Sequence, residues 1–288
     1  MSFSETIALG ALAGFTIFLG LPFGRLELLG DRARVALAMF AVGVLAFLFV
    51  DVLEHAFAIV EHAVAHAKDG KEGLGRPISL ALILGGGFAA GSAGLSALEK
   101  RIRPRGSIYP PAAGGSGEVA AVAVGHADQV ALEAAAARSR ALRTGMTIAA
   151  AIGLHNFAEG LAIGVSASAG QISLATVLIV GFALHNATEG FGIVGPLGPV
   201  KPSWRWLVCA GLVGGGPTFI GSIVGYRVTS TSLELAFYAV SGGAILYVIG
   251  EVWNAMRRYG YRELGLYLLS LGFFVGVVTD LVVAYGGG

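Results

Sequence analysis

Two polar motifs of one form stand thirty residues apart in an otherwise strongly apolar chain. The first reads Leu154-His-Asn-Phe-Ala-Glu-Gly160 and the second Leu184-His-Asn-Ala-Thr-Glu-Gly190. Residues three or four positions apart share one face of a helix, so each motif presents a histidine, an asparagine and a glutamate together. Imidazole nitrogen and carboxylate oxygen, with no thiolate nearby, suit zinc or iron(II) and disfavour copper(I). The chemistry indicated is the binding of a divalent transition metal.

The segments that carry both motifs are long and apolar enough to cross a membrane. The chain has 288 residues, of which 55% are hydrophobic and 13% charged, and its mean hydropathy is +0.76. Soluble domains carry about 25% charged residues, so this composition excludes an ordinary soluble globule and a disordered chain. Windows of about 20 apolar residues cross a bilayer. They predict eight spans, at residues 5–24, 35–58, 78–98, 144–166, 172–195, 206–226, 233–256 and 264–284.

The distribution of basic residues predicts the orientation of these spans. Fifteen of the 19 basic residues fall in alternate connections, which the positive-inside rule places in the cytoplasm. Both termini are then expected outside, and the first span is expected to be retained because no basic residue precedes it. The near balance of 19 basic and 18 acidic residues gives no basic field of the kind that binds nucleic acid. One cysteine, Cys209, excludes an intrachain disulfide.

The chain is expected to divide into three parts. Residues 1–98 hold spans one to three. Residues 99–143 form a cytoplasmic loop with a flexible Pro/Gly part and an alanine-rich helix. Residues 144–288 hold spans four to eight, with the metal site in spans four and five.

The cost of burying charge supports a metal site. A charged side chain at the centre of a span costs about 3 kcal/mol, so two mid-span glutamates need compensation, which a divalent cation would supply. A single motif of this kind more often makes hydrogen bonds between helices, but two copies at equal depth favour a metal. If spans four and five pack antiparallel with these faces opposed, six side chains meet near the bilayer midplane: His155, Asn156, Glu159, His185, Asn186 and Glu189.

A second polar cluster lies at the outer end of span two. Asp51, Glu54 and His55 share one helix face there. They are interpreted either as an outer vestibule that collects metal ions or as a solvated helix end.

The doubled motif, the eight spans, the outside termini and the long loop after span three together resemble the ZIP (Zrt/Irt-like) family of divalent-metal transporters. The specific match lies in spans four and five, where the family usually has His-Asn-x-Pro-Glu-Gly and x-x-x-Pro-Glu-Gly. The resemblance implies an all-α, 3+2+3 inverted-repeat bundle with the six motif residues as its intramembrane metal site. It also implies that Glu251, near the inner end of span seven, is a metal-binding position; a salt bridge at the membrane interface is the alternative.

The chain departs from the family pattern at three positions. Ala158 and Thr188 stand where the family commonly has proline. Gly216 stands in span six where many bacterial members have a glutamate, which favours one bound ion over two.

The expected function is transport of a divalent transition metal into the cytoplasm by alternating access, across the cytoplasmic (inner) membrane of a bacterium. Zinc is the first candidate, with iron, manganese and cadmium as alternatives. Zn²⁺ would be the transported substrate, so no catalytic cofactor and no enzymatic activity are expected. The expected partners are metal ions and the lipid bilayer, without nucleic acid; a homodimer is left open. The alternative function is an intramembrane zinc-dependent hydrolase with a glutamate as base.

Overall fold

Eight helices account for most of the residues that the structure describes. The computed structural model describes residues 1–26, 30–102, 126–170, 172–227 and 230–287, and it contains no strand within these ranges. The helices are α1 (Phe3–Phe15), α2 (Asp31–Lys68), α3 (Gly75–Ala89), α4 (His126–Ser168), α5 (Ile172–Val194), α6 (Trp204–Arg227), α7 (Thr231–Arg257) and α8 (Arg262–Gly287). Short helical turns extend α1 to Arg25 and α3 to Ile102. The expected all-α polytopic architecture is confirmed.

The helices match the expected spans in position. In the described part of the chain, seven segments are long and apolar enough to cross a membrane: Phe3–Arg25, Asp31–Lys68, Gly75–Arg101, Val130–Ser168, Trp204–Arg227, Thr231–Arg257 and Arg262–Val282. The remaining expected span, 172–195, coincides with α5, which is 23 residues long. A helix of that length extends about 35 Å, enough to cross the hydrocarbon layer.

α4 is longer than a membrane span requires. It runs for 43 residues, so the second half of the alanine-rich segment and the fourth expected span form one continuous helix. Alanine has the highest helix propensity, which allows the helix to continue outside the apolar window. The Pro/Gly part of the expected loop, within 103–125, lies outside the described residues.

Contacts between helices define the two ends of the bundle. At one end the Tyr226 hydroxyl lies 3.4 Å from the Met1 carbonyl oxygen, and the Arg227 guanidinium lies 4.6 Å from the centre of the Phe3 ring. We call this the terminus end, because α1 begins there and α8 finishes there. At the opposite end, the loop end, the Arg258 guanidinium donates a hydrogen bond to the Pro196 carbonyl at 3.0 Å.

The helices pack as two groups. α1, α4, α5 and α6 form one, and α2, α3, α7 and α8 form the other. Within each group glycines bring backbones together: a Cβ on Gly160 of α4 would overlap the Thr218 carbonyl of α6, and a Cβ on Gly43 of α2 would overlap the Leu269 carbonyl of α8. α4 and α5 also lie along α2, α7 and α8, so they form the boundary between the two groups. This boundary positions the polar motifs.

Candidate metal-binding site

Glu159 lies at the centre of the motif residues. Its Oε1 atom is 2.9 Å from Nε2 of His155, one turn earlier on α4, and 2.6 Å from Nε2 of His185 on α5. The side chains of His155 and Glu159 are 1% and 4% exposed, so these polar groups lie inside the bundle. The antiparallel packing of α4 and α5 therefore brings the imidazole of one motif onto the carboxylate of the other.

Glu189 occupies the other side of this cluster and is completely buried. Its Oε1 atom lies 3.8 Å from His155 Nε2. Its Oε2 atom accepts a hydrogen bond of 3.2 Å from Asn156 Nδ2, which also donates to the Gly214 carbonyl of α6 at 3.0 Å. Asn156 thus holds the second carboxylate and joins the cluster to α6.

Ser241 of α7 contacts the cluster from the other helix group. Its Oγ atom lies 2.9 Å from His155 Nδ1. If the ring donates its Nδ1 hydrogen to this oxygen, Nε2 keeps a lone pair facing Glu159 and Glu189. Neither sequence motif predicts a role for Ser241. The available signal was a polar residue in the middle of span seven, immediately before Gly242 and Gly243.

Asn186 has a hydrogen-bond partner outside the two motifs. Its Nδ2 atom donates to the Ala13 carbonyl of α1 at 3.1 Å. α1 approaches α5 closely in this region, because Gly20 and Gly190 leave no side chain between the two backbones. The side chain of Asn186 thus joins α5 to α1.

In the part of the chain that the structure describes, most of the unpartnered buried polar atoms belong to the motif residues. Within the described ranges, six buried side-chain polar atoms have no hydrogen-bond partner, and His155 Nε2 is among them although Glu159 Oε1 lies 2.9 Å away. Such atoms are rare and each costs free energy. Five of the six belong to the predicted set and each can offer a lone pair: His155 Nε2, Asn156 Oδ1, Glu159 Oε2, Asn186 Oδ1 and Glu189 Oε1; the sixth is Thr218 Oγ1 of α6.

The cluster is closed by its own contacts. Among the described residues, no three histidine, cysteine or acidic side chains have the arrangement of a metal site. The imidazoles and carboxylates contact each other directly instead.

A cavity of about 450 Å³ extends from this cluster toward the terminus end. His155, Glu159 and His185 line its deep part. Asp51 and His55 of α2 line the part nearer the terminus end; His55 Nδ1 lies 2.9 Å from the Asp51 carbonyl oxygen and 3.7 Å from its Oδ1 atom. Two of the three expected vestibule residues, Asp51 and His55, therefore line the same cavity as the metal motifs.

Other polar groups line the same cavity or lie apart from it. Asp280 of α8 lines the cavity beside Thr279. Glu54 is exposed and does not line it.

Glu251 lies toward the other end of the bundle. It follows Ser241 by ten residues on α7, which is about 15 Å along a helix, and it does not line the cavity. Nearby, the carboxylate of Glu99 is buried and accepts a hydrogen bond of 2.9 Å from the Tyr247 hydroxyl. The structure therefore separates Glu251 from the six motif residues.

The segment that carries this cluster is similar to known proteins. Residues 113–249 match the family model described as the ZIP zinc transporter, and this stretch includes α4, α5, α6 and most of α7. The family consists of transporters, not enzymes, which agrees with the sequence expectation and not with the hydrolase alternative.

Curated relatives match over a similar part of the chain. The chain is 32% identical to zinc transporter ZupT of Clostridium perfringens over 150 residues, 49% of this chain and 51% of that protein. It is 31% identical to zinc transporter GufA of Myxococcus xanthus over 134 residues, 46% of this chain and 53% of that protein. Human zinc transporter ZIP10 is 27% identical over 143 residues, 46% of this chain and 17% of that protein. The matches thus cover about half the length of the two bacterial relatives. The chain is therefore similar to ZIP zinc transporters over residues 113–249, the stretch that carries the doubled motif.

Proposed function

We propose that the protein binds a divalent transition-metal ion between α4 and α5 and carries it across the membrane. The observation that carries this proposal is that five side-chain atoms of the motif residues are buried and unpartnered, and that each can offer a lone pair. A cation accepts several lone pairs at once, whereas a proton can join only two atoms. The metal ligands would come from His155, Asn156, Glu159, His185, Asn186 and Glu189.

The spacing of the cluster suits a metal with short bonds. In a tetrahedral zinc site with bonds of about 2.0–2.1 Å, neighbouring ligand atoms are about 3.3 Å apart. Three separations in the cluster, 2.6, 2.9 and 3.8 Å, lie on either side of that value. Side-chain shifts of less than about 1 Å would therefore convert these direct contacts into metal contacts.

Zinc is the substrate that we propose first. The three relatives are all described as zinc transporters. Imidazole and carboxylate ligands also suit iron, manganese and cadmium, so these remain alternative substrates. A Cβ at Gly216 would contact nothing within 4 Å, and no carboxylate from α6 is present, in keeping with one bound ion.

The cavity suggests the entry route. It is directed toward the terminus end, which the basic residues place outside, and it passes Asp51 and Asp280 before reaching His185. We propose that the ion enters there and leaves at the loop end near Glu251, in the cytoplasm. Within a bacterium, the membrane would be the cytoplasmic (inner) membrane.

The packing of the two helix groups supports alternating access. Inside the groups, backbones meet at glycines such as Gly160 with Gly221 and Gly91 with Gly243. Between the groups, side chains meet instead, as where the Phe157 ring of α4 lies 4.6 Å from the Phe237 ring of α7. Side chains can change partners more readily than interlocked backbones. We propose that the α1, α4, α5 and α6 group moves with the ion against the other group.

Uptake into sealed proteoliposomes tests transport. Zinc entry is followed by an internal zinc-sensitive dye for the wild-type protein, for Glu159→Gln and for Glu61→Gln, a matched change at an exposed glutamate of α2. We expect saturable entry that Glu159→Gln abolishes and Glu61→Gln preserves. Wild-type entry no faster than into empty vesicles would contradict transport, even if the purified protein bound zinc.

A disulfide between the groups tests the movement. In a Cys209→Ser background, Phe157→Cys places one cysteine on α4 and Phe237→Cys places one on α7. A disulfide between them would join the two helices. We expect oxidation to stop zinc uptake while zinc binding remains, and reduction to restore uptake. Full uptake in the quantitatively oxidised protein would overturn alternation by movement at this boundary.

A further inference from the structure

A second cavity lies at the loop end between α2, α7 and α8. Its volume is about 470 Å³. Val35 and Met39 of α2 and Gly265 of α8 are buried and form its apolar part. Arg257 and Arg262 are exposed and form its polar rim. The cavity therefore joins an apolar interior to two positive charges.

The two arginines are available to a ligand. Within the described ranges, the side chains of Arg257 and Arg262 make no hydrogen bond or ion pair. Their neighbour Arg258 is engaged by contrast, since it donates to the carbonyl oxygen of Pro196 and to the hydroxyl of Tyr259. Glu263 follows Arg262 in the chain but does not line the cavity. A positive rim without a protein counter-charge favours an anion.

The depth of the rim matches the headgroup region of a membrane. Arg257 is the last residue of one candidate span and Arg262 is the first residue of the next. Trp253 and Tyr261 line the same cavity, and such rings are enriched where the hydrocarbon layer meets the headgroups. Phosphate groups of phospholipids lie at this level, with their acyl chains on the side of Val35 and Met39.

The turn between α7 and α8 holds the rim in an unusual conformation. Tyr261 has a φ of +30°, and no other non-glycine residue in the described ranges has a positive φ. Such a conformation is uncommon and costs energy, so it persists where the surrounding structure requires it. Tyr261 immediately precedes Arg262, so this conformation lies within the rim of the cavity.

We propose that this cavity binds the phosphate headgroup of an anionic phospholipid, with Arg257 and Arg262 contacting the phosphate and the first acyl carbons lying against Val35 and Met39. The apolar part and the depth favour a lipid over a soluble phosphate ion. Basic pockets between membrane helices on the cytoplasmic side recognise anionic lipids by the same chemistry. This proposal does not depend on metal transport, because it concerns a separate cavity.

Native mass spectrometry of the full chain released from detergent micelles tests the proposal. The protein is stripped of lipid and titrated with phosphatidylglycerol, phosphatidylcholine or inorganic phosphate. The variants are Arg257→Gln/Arg262→Gln and, as the matched control, Lys100→Gln/Arg101→Gln, which removes two exposed charges from the same end of the bundle. We expect one tightly held phosphatidylglycerol on the wild-type protein and on the control.

We expect the Arg257→Gln/Arg262→Gln variant to bind phosphatidylglycerol about 30-fold more weakly, since each basic residue near a membrane surface contributes about fivefold. Equal affinity in this variant and the control would overturn the proposal. So would equal binding of phosphatidylcholine, or displacement of the lipid by inorganic phosphate, which would indicate a soluble-anion site. If the variant did not fold, the comparison of the three ligands on the wild-type protein would still decide.

Discussion

The two copies of the motif have almost the same residues but different surroundings. In the α4 copy the histidine contacts Ser241 of α7 and its side chain is 1% exposed, and the asparagine contacts Glu189 and α6. Both histidines line the cavity, but the side chain of His185 in the α5 copy is more exposed, at 10%. We infer that the α4 copy orients the ligands, and that the α5 copy meets the incoming ion first.

Substitution of the two carboxylates tests the difference between the two motif copies, and it is expected to have the largest effect on zinc binding. Glu159 contacts both imidazoles and Glu189 contacts neither within 3.5 Å. Each contact of a charged group with a partner contributes about 1.5–3 kcal/mol. In isothermal titration calorimetry we therefore expect Glu159→Gln to weaken zinc binding by at least about 100-fold and Glu189→Gln by about tenfold. The reverse order would show that the α5 carboxylate is the principal ligand.

Substitution of Ser241 tests the contact that α7 makes with the histidine of the α4 copy. Groups that orient a metal ligand typically change metal affinity by 10–100-fold when they are removed. We expect Ser241→Ala to weaken zinc binding by about tenfold, and Ser241→Thr to restore most of it, because threonine keeps the hydroxyl. Ser270→Ala is the matched control, since Ser270 is exposed and its hydroxyl donates only to the Leu266 carbonyl of its own helix. Wild-type affinity in Ser241→Ala would remove Ser241 from the site.

Substitution of the two asparagines should distinguish an effect on protein stability from an effect on zinc affinity. Each donates to a backbone carbonyl of a neighbouring helix, Asn156 to Gly214 and Asn186 to Ala13. We expect each change to alanine to lower the unfolding free energy by about 1 kcal/mol. Only Asn156 also holds Glu189, so we expect a zinc affinity loss of about tenfold for Asn156→Ala and a severalfold smaller loss for Asn186→Ala. Thermal unfolding in detergent and zinc titration measure the two quantities; equal affinity losses would contradict the comparison.

Substitutions at the entrance of the cavity are expected to have the smallest effect on zinc uptake. Asp51 lines the cavity and Glu54, one turn away on α2, does not. An exposed or half-exposed charge contributes about 1 kcal/mol or less. At zinc concentrations below saturation we expect uptake to fall about threefold in Asp51→Asn and to stay within about twofold of wild type in Glu54→Gln. A larger loss in Glu54→Gln than in Asp51→Asn would place the entry route on another face of α2.

The fold was predictable because a membrane span has a length and a composition that can be read directly. Each expected span lies within or within one residue of a helix, since the bilayer thickness and the need to satisfy backbone hydrogen bonds leave few alternatives. The cluster of His155, Glu159 and His185 followed from helical periodicity and the doubled motif. The contact of Asn186 with α1 did not, because it depends on how closely glycines let two distant helices approach.

The sequence by itself determined the helices, their alternating directions and the polar face of each motif, because these follow from local periodicity and hydrophobic length. Only the tertiary structure decided which motif histidine is more exposed in the cavity, that Ser241 contacts His155, and that Glu251 lies apart. It also placed Arg257 and Arg262 on one rim. These relations join residues far apart in the chain, and packing of whole helices decides them, which no local pattern records.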